Sequence, residues 1–446
     1  MNTPIYDFVK QYAESNAVRM HMPGHKGHML LGTEHIDITE IHGADCLYSS
    51  NGIIKQSERN ASMLFGTGAT FYSAEGSTLA IKAMLFLATQ SGRRGERGVV
   101  LAARNVHKSF IHAAALLDLD VKWMYPEQFR HICSAVISAR DVDNALSKSD
   151  EVDAVYITTP DYLGNLADVK GISEVCKKHK VPLLVDNAHG AYLRFLTPSL
   201  HPMDLGADMC ADSAHKTLPV LTGGAYLHIA KSKEKYIERA QSALSLFAST
   251  SPSYLILSSL DFCNGYLADG FHEKLESTIQ SVSKLREKIR SHGVGILESE
   301  PLKIVLSPNG FGYTGREIAD ALRAFSIECE FADEEYCVLM PSPENTASDY
   351  ERIGEAIESL ERKNTIHKRQ QLFAYIEPKT AISIREAVFS PSKTVLVRDA
   401  IGQIASVPAV SCPPAVPIVV SGEYITEEAI SLIEAYGIEK IDIVGR

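Results

Sequence analysis

The chain has 446 residues, is 45% hydrophobic and carries a formal net charge of −11. Two or three domains are expected at that length, because one simple core stops growing well before it. The acidic balance argues against nucleic acid as a main partner, since phosphate binding needs a basic surface, and no apolar run is long enough to span a bilayer.

In chain order, MNTPIYDFVKQYAESNAVRM (1–20) reads as a short amphipathic helix. It has no apolar core of the secretory kind, so a cytoplasmic protein is expected. The middle of the chain alternates two patterns. GVVLAAR (98–104), VKWMYP (121–126), AVYITTP (154–160), VPLLVDNAHG (181–190), ADMCADSAHK (207–216) and GGAYLHI (223–229) read as strands. Helical patterns over 77–90, 108–117, 141–149 and 168–179 lie between several of them. Strands alternating with helices predict an α/β fold with a mostly parallel central sheet covered on both faces. Such sheets bind ligands beyond the C-terminal ends of their strands. The polar residues Arg104 to His107, Pro160 to Tyr162, Asp186 to His189 and Ser213 to Lys216 are therefore site candidates.

Beyond residue 252 the pattern predicts a long helical stretch over 253–293, then a smaller α/β unit opened by LKIVLSP (302–308) and running to about 362. ERKNTIHKRQQ (361–371) reads as a polar linker. The Pro-rich SVPAVSCPPAVPIVVSGEYIT reads as extended chain and turns before a final helix. The domain organisation expected is an N-terminal segment (1–45), a large domain (46–295), a small α/β domain (296–365) and a C-terminal domain (366–446). The eight cysteines, at 46, 133, 176, 210, 263, 329, 337 and 412, include no CxxC. Reduced thiols and no metal site are expected.

Four segments carry chemistry. In FYSAEGSTLAIKAMLFLA (71–88), a strand-like piece runs into Gly76, Ser77 and Thr78 at the start of a helix. Free backbone N–H groups, the helix dipole and two hydroxyls suit a phosphate; the same residues also serve as an ordinary N-cap. Asp186 ends a strongly apolar strand. A buried carboxylate there calls for a cationic partner such as a protonated pyridine nitrogen, or caps the next turn. His189 follows it, as a site residue or a hydrogen-bonded core histidine. Lys216 has small and apolar neighbours; partial burial makes a lysine amine nucleophilic enough to bind an aldehyde, whereas a snorkelling lysine would seek solvent. His107 begins a helix after a strand and is placed to stack on a planar ring, or simply to start the helix. The order is more telling than any one signal. Phosphate cradle, ring-stacking His, strand-end Asp and strand-end Lys together describe pyridoxal 5'-phosphate (PLP), with Ser213 and His215 beside the lysine in reach of the phosphate.

HMPGHKG (21–27), ARNVHKS (103–109), TPDYLGNLADV (159–169), VDNAHGA (185–191), SAHKTLP (213–219), STSPSYLILSSLD (249–261) and PPAVPIVVSGEYIT (413–426) carry a resemblance. The chain resembles the Orn/Lys/Arg decarboxylase family (group III, PLP fold type I, aspartate aminotransferase-like), in the short Gram-positive form without an N-terminal wing domain. The resemblance implies PLP-dependent decarboxylation of L-arginine, L-lysine or L-ornithine, feeding polyamine synthesis. It implies that Lys216 is the Schiff-base lysine, Asp186 pairs with the pyridine nitrogen, His107 stacks on the ring and Ala188 packs on its other face. Ser77, Thr78, Ser213 and His215 then hold the phosphate, with His189 near the reacting carbon or the phosphate. Thr250 or Ser251 is expected to reach the phosphate of a neighbouring subunit, which makes a homodimer the minimum active unit.

The chain departs from the family pattern at Cys46, Tyr48, Glu75 and Asn187, and at PPAVP near the C-terminus. Asp45, Glu75 and Glu423 are candidates for a distal substrate cation. An aminotransferase would use a carboxylate-binding arginine, for which Arg316, Arg323 and Arg385 are candidates, and a PLP-binding protein without turnover is the rival from another class.

Overall fold

The computed structural model describes residues 1–89, 96–126, 131–149, 151–366, 378–410 and 414–445. The elements are α1 (Pro4–Glu14), α2 (Ile53–Phe65), β1 (Ala69–Ser73), α3 (Gly76–Thr89), β2 (Val99–Ala103), α4 (Lys108–Leu117), β3 (Asp120–Met124), α5 (Ala139–Ser147), β4 (Ala154–Thr158), α6 (Val169–His179) and β5 (Leu183–Asp186). There follow β6 (Met209–Asp212), α7 (Ala214–Thr217), β7 (Ala225–Ile229), α8 (Glu234–Ser245), α9 (Tyr254–Leu267), α10 (Phe271–His292), β8 (Gly295–Leu297), β9 (Ile304–Ser307), α11 (Gly315–Ala324), β10 (Phe331–Ala332), β11 (Cys337–Leu339) and α12 (Ala347–Glu358). The chain closes with α13 (Ile384–Phe389), β12 (Ser392–Leu396), β13 (Ala409–Val410), β14 (Pro417–Val419), α14 (Glu427–Ala435) and β15 (Lys440–Val444).

Two compact units emerge. The first comprises Met1–Arg94, Val152–Ile157 and Asp168–Glu273; the second comprises Gly95–Glu151, Thr158–Ala167 and Lys274–Arg446.

In the first unit the strands run in the order β1-β7-β6-β5-β4. β5 and β6 are parallel, while β7 is antiparallel to both β6 and β1, so the sheet is mixed. Every residue of β1, β5, β6 and β7 is buried, which is why these strands read as mostly apolar runs without polar alternation. α3 is apolar almost all round, as a helix enclosed by protein should be, and packs on β6, β7 and α8. α1 is amphipathic: Ile5 and Val9, one turn apart, are buried, and the helix packs on α2 and α9.

The second unit holds the parallel pair β2 and β3, an antiparallel sheet ordered β10-β11-β9-β8, and the two-stranded pairs β12-β15 and β13-β14. Its core gathers Ile132, Leu163, Val305, Val338, Val419, Ile433 and Ile443, among others. Capping boxes start α5 (Ser138 and Asp141), α11 (Thr314 and Glu317) and α13 (Ser383 and Glu386), each satisfying two orphan amides.

The predicted strands and the four central helices are found, with shifted ends. The stretch 253–293 is two helices, broken at Gly270, whose φ of 68° is left-handed. The final helix α14 is followed by a strand, β15, which pairs with β12. Of the linker 361–371, residues 367–371 lie outside the described residues, as does Cys412; the seven described cysteines are free thiols. No described helix is long and apolar enough to cross a membrane.

Candidate active site

The site is built on the ends of β5 and β6, adjacent parallel strands in register at Asp186 and Ala211. Asp186 is the last residue of β5 and is 2% exposed. Its Oδ1 accepts from the Ala188 N–H and its Oδ2 from the Tyr156 hydroxyl, each at 3.2 Å. Burial pushes the carboxyl up to about 6, against the pull of the Lys216 cation and these two donors.

β6 ends at Asp212, and the chain passes through Ser213 into the single helical turn α7, which carries His215 and Lys216. Lys216 thus sits on a short helix rather than on extended chain. Its Nζ is 3.0 Å from His189 Nε2. His215 Nδ1 is 2.9 Å from the Gly224 carbonyl, so Nδ1 carries the proton and donates. Burial lowers the pKa of His215, opposed by that carbonyl.

Asp212 is a hub. Its Oδ2 accepts from His201 Nε2 at 2.9 Å and His228 Nε2 at 3.2 Å. Its Oδ1 accepts from Asn187 Nδ2 at 2.8 Å and the Cys210 thiol at 3.3 Å. His201 Nδ1 accepts from the Met203 N–H, which leaves Nε2 as the protonated nitrogen. Burial alone would raise the Asp212 carboxyl, but the two imidazoles hold it far below the usual range. His201, Cys210 and Asp212 bring ligand-type atoms within 4.8 Å of one another, and each has a role in this hydrogen-bonded cluster. Through Asn187 the hub ties the loop after β5 to the end of β6. Gly190 is required here, because a Cβ would stand 2.0 Å from Asn187 Oδ1.

At the start of α3, Gly76 has a φ of 71° and donates its N–H to the Gly223 carbonyl at 2.7 Å. Ser77 and Thr78 follow in the first turn, and Ser213 Oγ lies 2.8 Å from Ser77 Oγ. Two of the proposed phosphate hydroxyls, 136 residues apart, therefore meet. Glu75 Oε1 accepts from the Ser249 N–H at 2.7 Å, which ties the exposed segment bearing Thr250 and Ser251 to this corner.

Other candidates have different employment. His107 is in the second unit, where it caps α4: its Nδ1 accepts from the Ser109 N–H. Asp45 caps α2, accepting backbone N–H groups from Cys46, Asn51, Gly52, Ile54 and Lys55. Glu423 forms a buried ion pair with Arg104 at 3.2 Å. Arg385 donates to the carbonyls of Ala115 and Leu116, Arg316 to that of Ala435, and Arg323 pairs with Asp320 and Glu328.

Sequence reasoning missed Tyr156 and the Asp212 hub. Nothing marks a tyrosine inside an apolar strand as more than core. For the hub a signal existed: an aspartate and a histidine at inward positions of β6 and β7, residue types that enter a core only when paired.

A family model described as Orn/Lys/Arg decarboxylase, major domain, matches residues 3–310. The arginine decarboxylase of Bacillus subtilis (strain 168) is 30% identical over 460 residues, covering 97% of this chain and 93% of the relative. Among solved structures, the lysine decarboxylase of Francisella novicida is matched over 99% of this chain and 81% of its own, with 16% identity and a TM-score of 0.80. An SPT structure with PLP is matched over 68% of this chain and 75% of its own, with 16% identity and a TM-score of 0.55. The structural likenesses define the fold as that of the α/β, PLP fold type I enzymes. The chain belongs to the Orn/Lys/Arg decarboxylase family, and it is a decarboxylase.

Proposed function

We propose that the chain decarboxylates a basic amino acid, L-arginine, L-lysine or L-ornithine, with PLP held on Lys216, and that the amine feeds polyamine synthesis. The observation that carries this reading is the Lys216–His189 pair, 3.0 Å across, beside a buried strand-end carboxylate that feels the Lys216 charge. The residues fit the coenzyme on their own chemistry. Asp186 is a buried carboxylate hydrogen-bonded by neutral donors only, which suits a cationic ring nitrogen. Ser77 and Ser213 converge at the start of a 14-residue helix, which suits a phosphate.

The bound coenzyme supplies an electron sink for the pair released when the Cα–carboxylate bond breaks. Lys216 holds its aldehyde carbon, and Asp186 keeps the proton on its ring nitrogen. Gly76, Ser77, Thr78, Ser213 and His215 bind the phosphate, and Ala188 packs on the ring. The Lys216–His189 pair is the proton source for Cα. The stacking role of His107 rests on the resemblance alone. The engaged state of Arg316, Arg323 and Arg385 favours decarboxylation over transamination.

The working form in this reading is a cytoplasmic homodimer in which Thr250 or Ser251 reaches the neighbour's phosphate. Both residues are exposed, and Val18, Met20, Leu30 and Leu31, each more than 80% exposed, give the N-terminal segment apolar surface to cover. The domain boundaries proposed from sequence, at 45, 295 and 365, go with it. The test is carbon dioxide release from a panel of amino acids with purified protein and PLP. Release from one basic amino acid supports the reading; transamination products in its place would replace it.

A further inference from the structure

We propose that Tyr156 is a positioning residue for Asp186: its hydroxyl fixes the carboxylate so that its remaining lone pairs face the ring nitrogen of the coenzyme. The inference rests on the reading of Asp186 given above and adds to it a residue that no motif marks. Tyr156 lies in β4, next to β5 in the sheet, and is fully buried. It donates to Asp186 Oδ2 at 3.2 Å, while the Ala188 N–H takes Oδ1 at the same distance. Each oxygen thus has one neutral donor, which fixes the plane of the carboxylate without neutralising it. Burial and the Asp186 charge hold the phenol well above its ordinary range, so it is a donor at every working pH. A neutral donor stabilises the ionised carboxylate, which is the form that retains a proton on a pyridine nitrogen.

The alternative is a phenol that merely satisfies its own hydroxyl. Tyr156→Phe is compared with Tyr226→Phe, which removes another fully buried hydroxyl from the same sheet, on β7. In coenzyme-free protein labelled with 13C-carboxyl aspartate, the Asp186 signal is identified by its loss in Asp186→Asn. Tyr156→Phe is expected to raise the Asp186 titration by about one pH unit and to weaken PLP binding roughly tenfold. It should also lower kcat about tenfold with KM nearly unchanged, and Tyr226→Phe should do none of these. 3-Fluorotyrosine placed at position 156, a stronger donor of nearly the same size, should move the titration down, and keeps the test open if the phenylalanine variant does not fold. An unmoved Asp186 titration, or equal losses in both phenylalanine variants, overturns the role of Tyr156 alone. Wild-type coenzyme binding and turnover in Asp186→Asn overturns the reading of Asp186, and this inference with it.

Discussion

Lys216 Nζ and His189 Nε2 face each other across 3.0 Å, one on α7 and the other just beyond β5. Two cations at that distance would repel by about 5 kcal/mol at an effective dielectric constant of about 20. The contact is therefore a hydrogen bond in which one nitrogen donates and the other accepts. An imidazole within hydrogen-bond reach is the neighbour a lysine needs if it is to pass on a proton and act as a nucleophile.

His189→Ala removes the second base but not the lysine. PLP should still bind, with kcat reduced about 10²- to 10³-fold. Steady-state kinetics together with the absorbance of the bound coenzyme separate the two effects.

Asp186 predicts a pH effect on the coenzyme-free protein. Its folded pKa of about 6 exceeds the ordinary 3.8. The folded state then binds more protons than the unfolded state between those values, so stability falls as pH rises from about 4 to about 6. The loss is on the order of 3 kcal/mol. Urea denaturation across that range should show this component of the slope in the parent protein, and Asp186→Asn should lack it.

Asp212 predicts the opposite sign. Its folded pKa is depressed, so its contribution is present above the unfolded value near ~4 and is lost as pH falls. Asp212→Asn turns an acceptor of four donors into a group that must itself donate. A loss of about 2–4 kcal/mol at pH 7 is expected. A parent-like urea midpoint would refute the account of the hub.

The N-terminal helix hangs on one carboxylate. Asp261 accepts from the Ile5 N–H at 2.7 Å and the Tyr6 N–H at 3.0 Å, and also from the Ser57 hydroxyl. Asp261→Ala leaves the first amides of α1 unsatisfied, at a cost of about 1–3 kcal/mol. Hydrogen exchange should show α1 losing protection before the sheet does.

What the sequence made legible follows from how local each signal is. β5, β6 and β7 were readable because a fully buried strand is a mostly apolar run, and α3 because it opens at Gly-Ser-Thr. Asp186 and Lys216 stood out as charged types beside such runs. That Asp45 takes five backbone amides was not legible, because a sequence does not show which way amides point. Of the Asp212 hub only the polar types inside β6 and β7 were legible; which groups meet there was not, because Cys210 and His228 are brought opposite by strand register and Asn187 and His201 come in from outside the strands. Tyr156 was not legible, since only the placing of β4 beside β5 turns a core tyrosine into a partner of Asp186. β15 was missed although its five residues alternate, with Ile441 and Ile443 buried between exposed Lys440 and half-buried Asp442; that signal was in the sequence.

The most direct measurement is carbon dioxide release by purified protein with PLP, across a panel of amino acids, for the parent and for Lys216→Ala. The account predicts release from a basic amino acid by the parent, reduced at least ~10³-fold in the variant. Release that survives in Lys216→Ala, or none from any basic amino acid by a PLP-loaded parent, would contradict it.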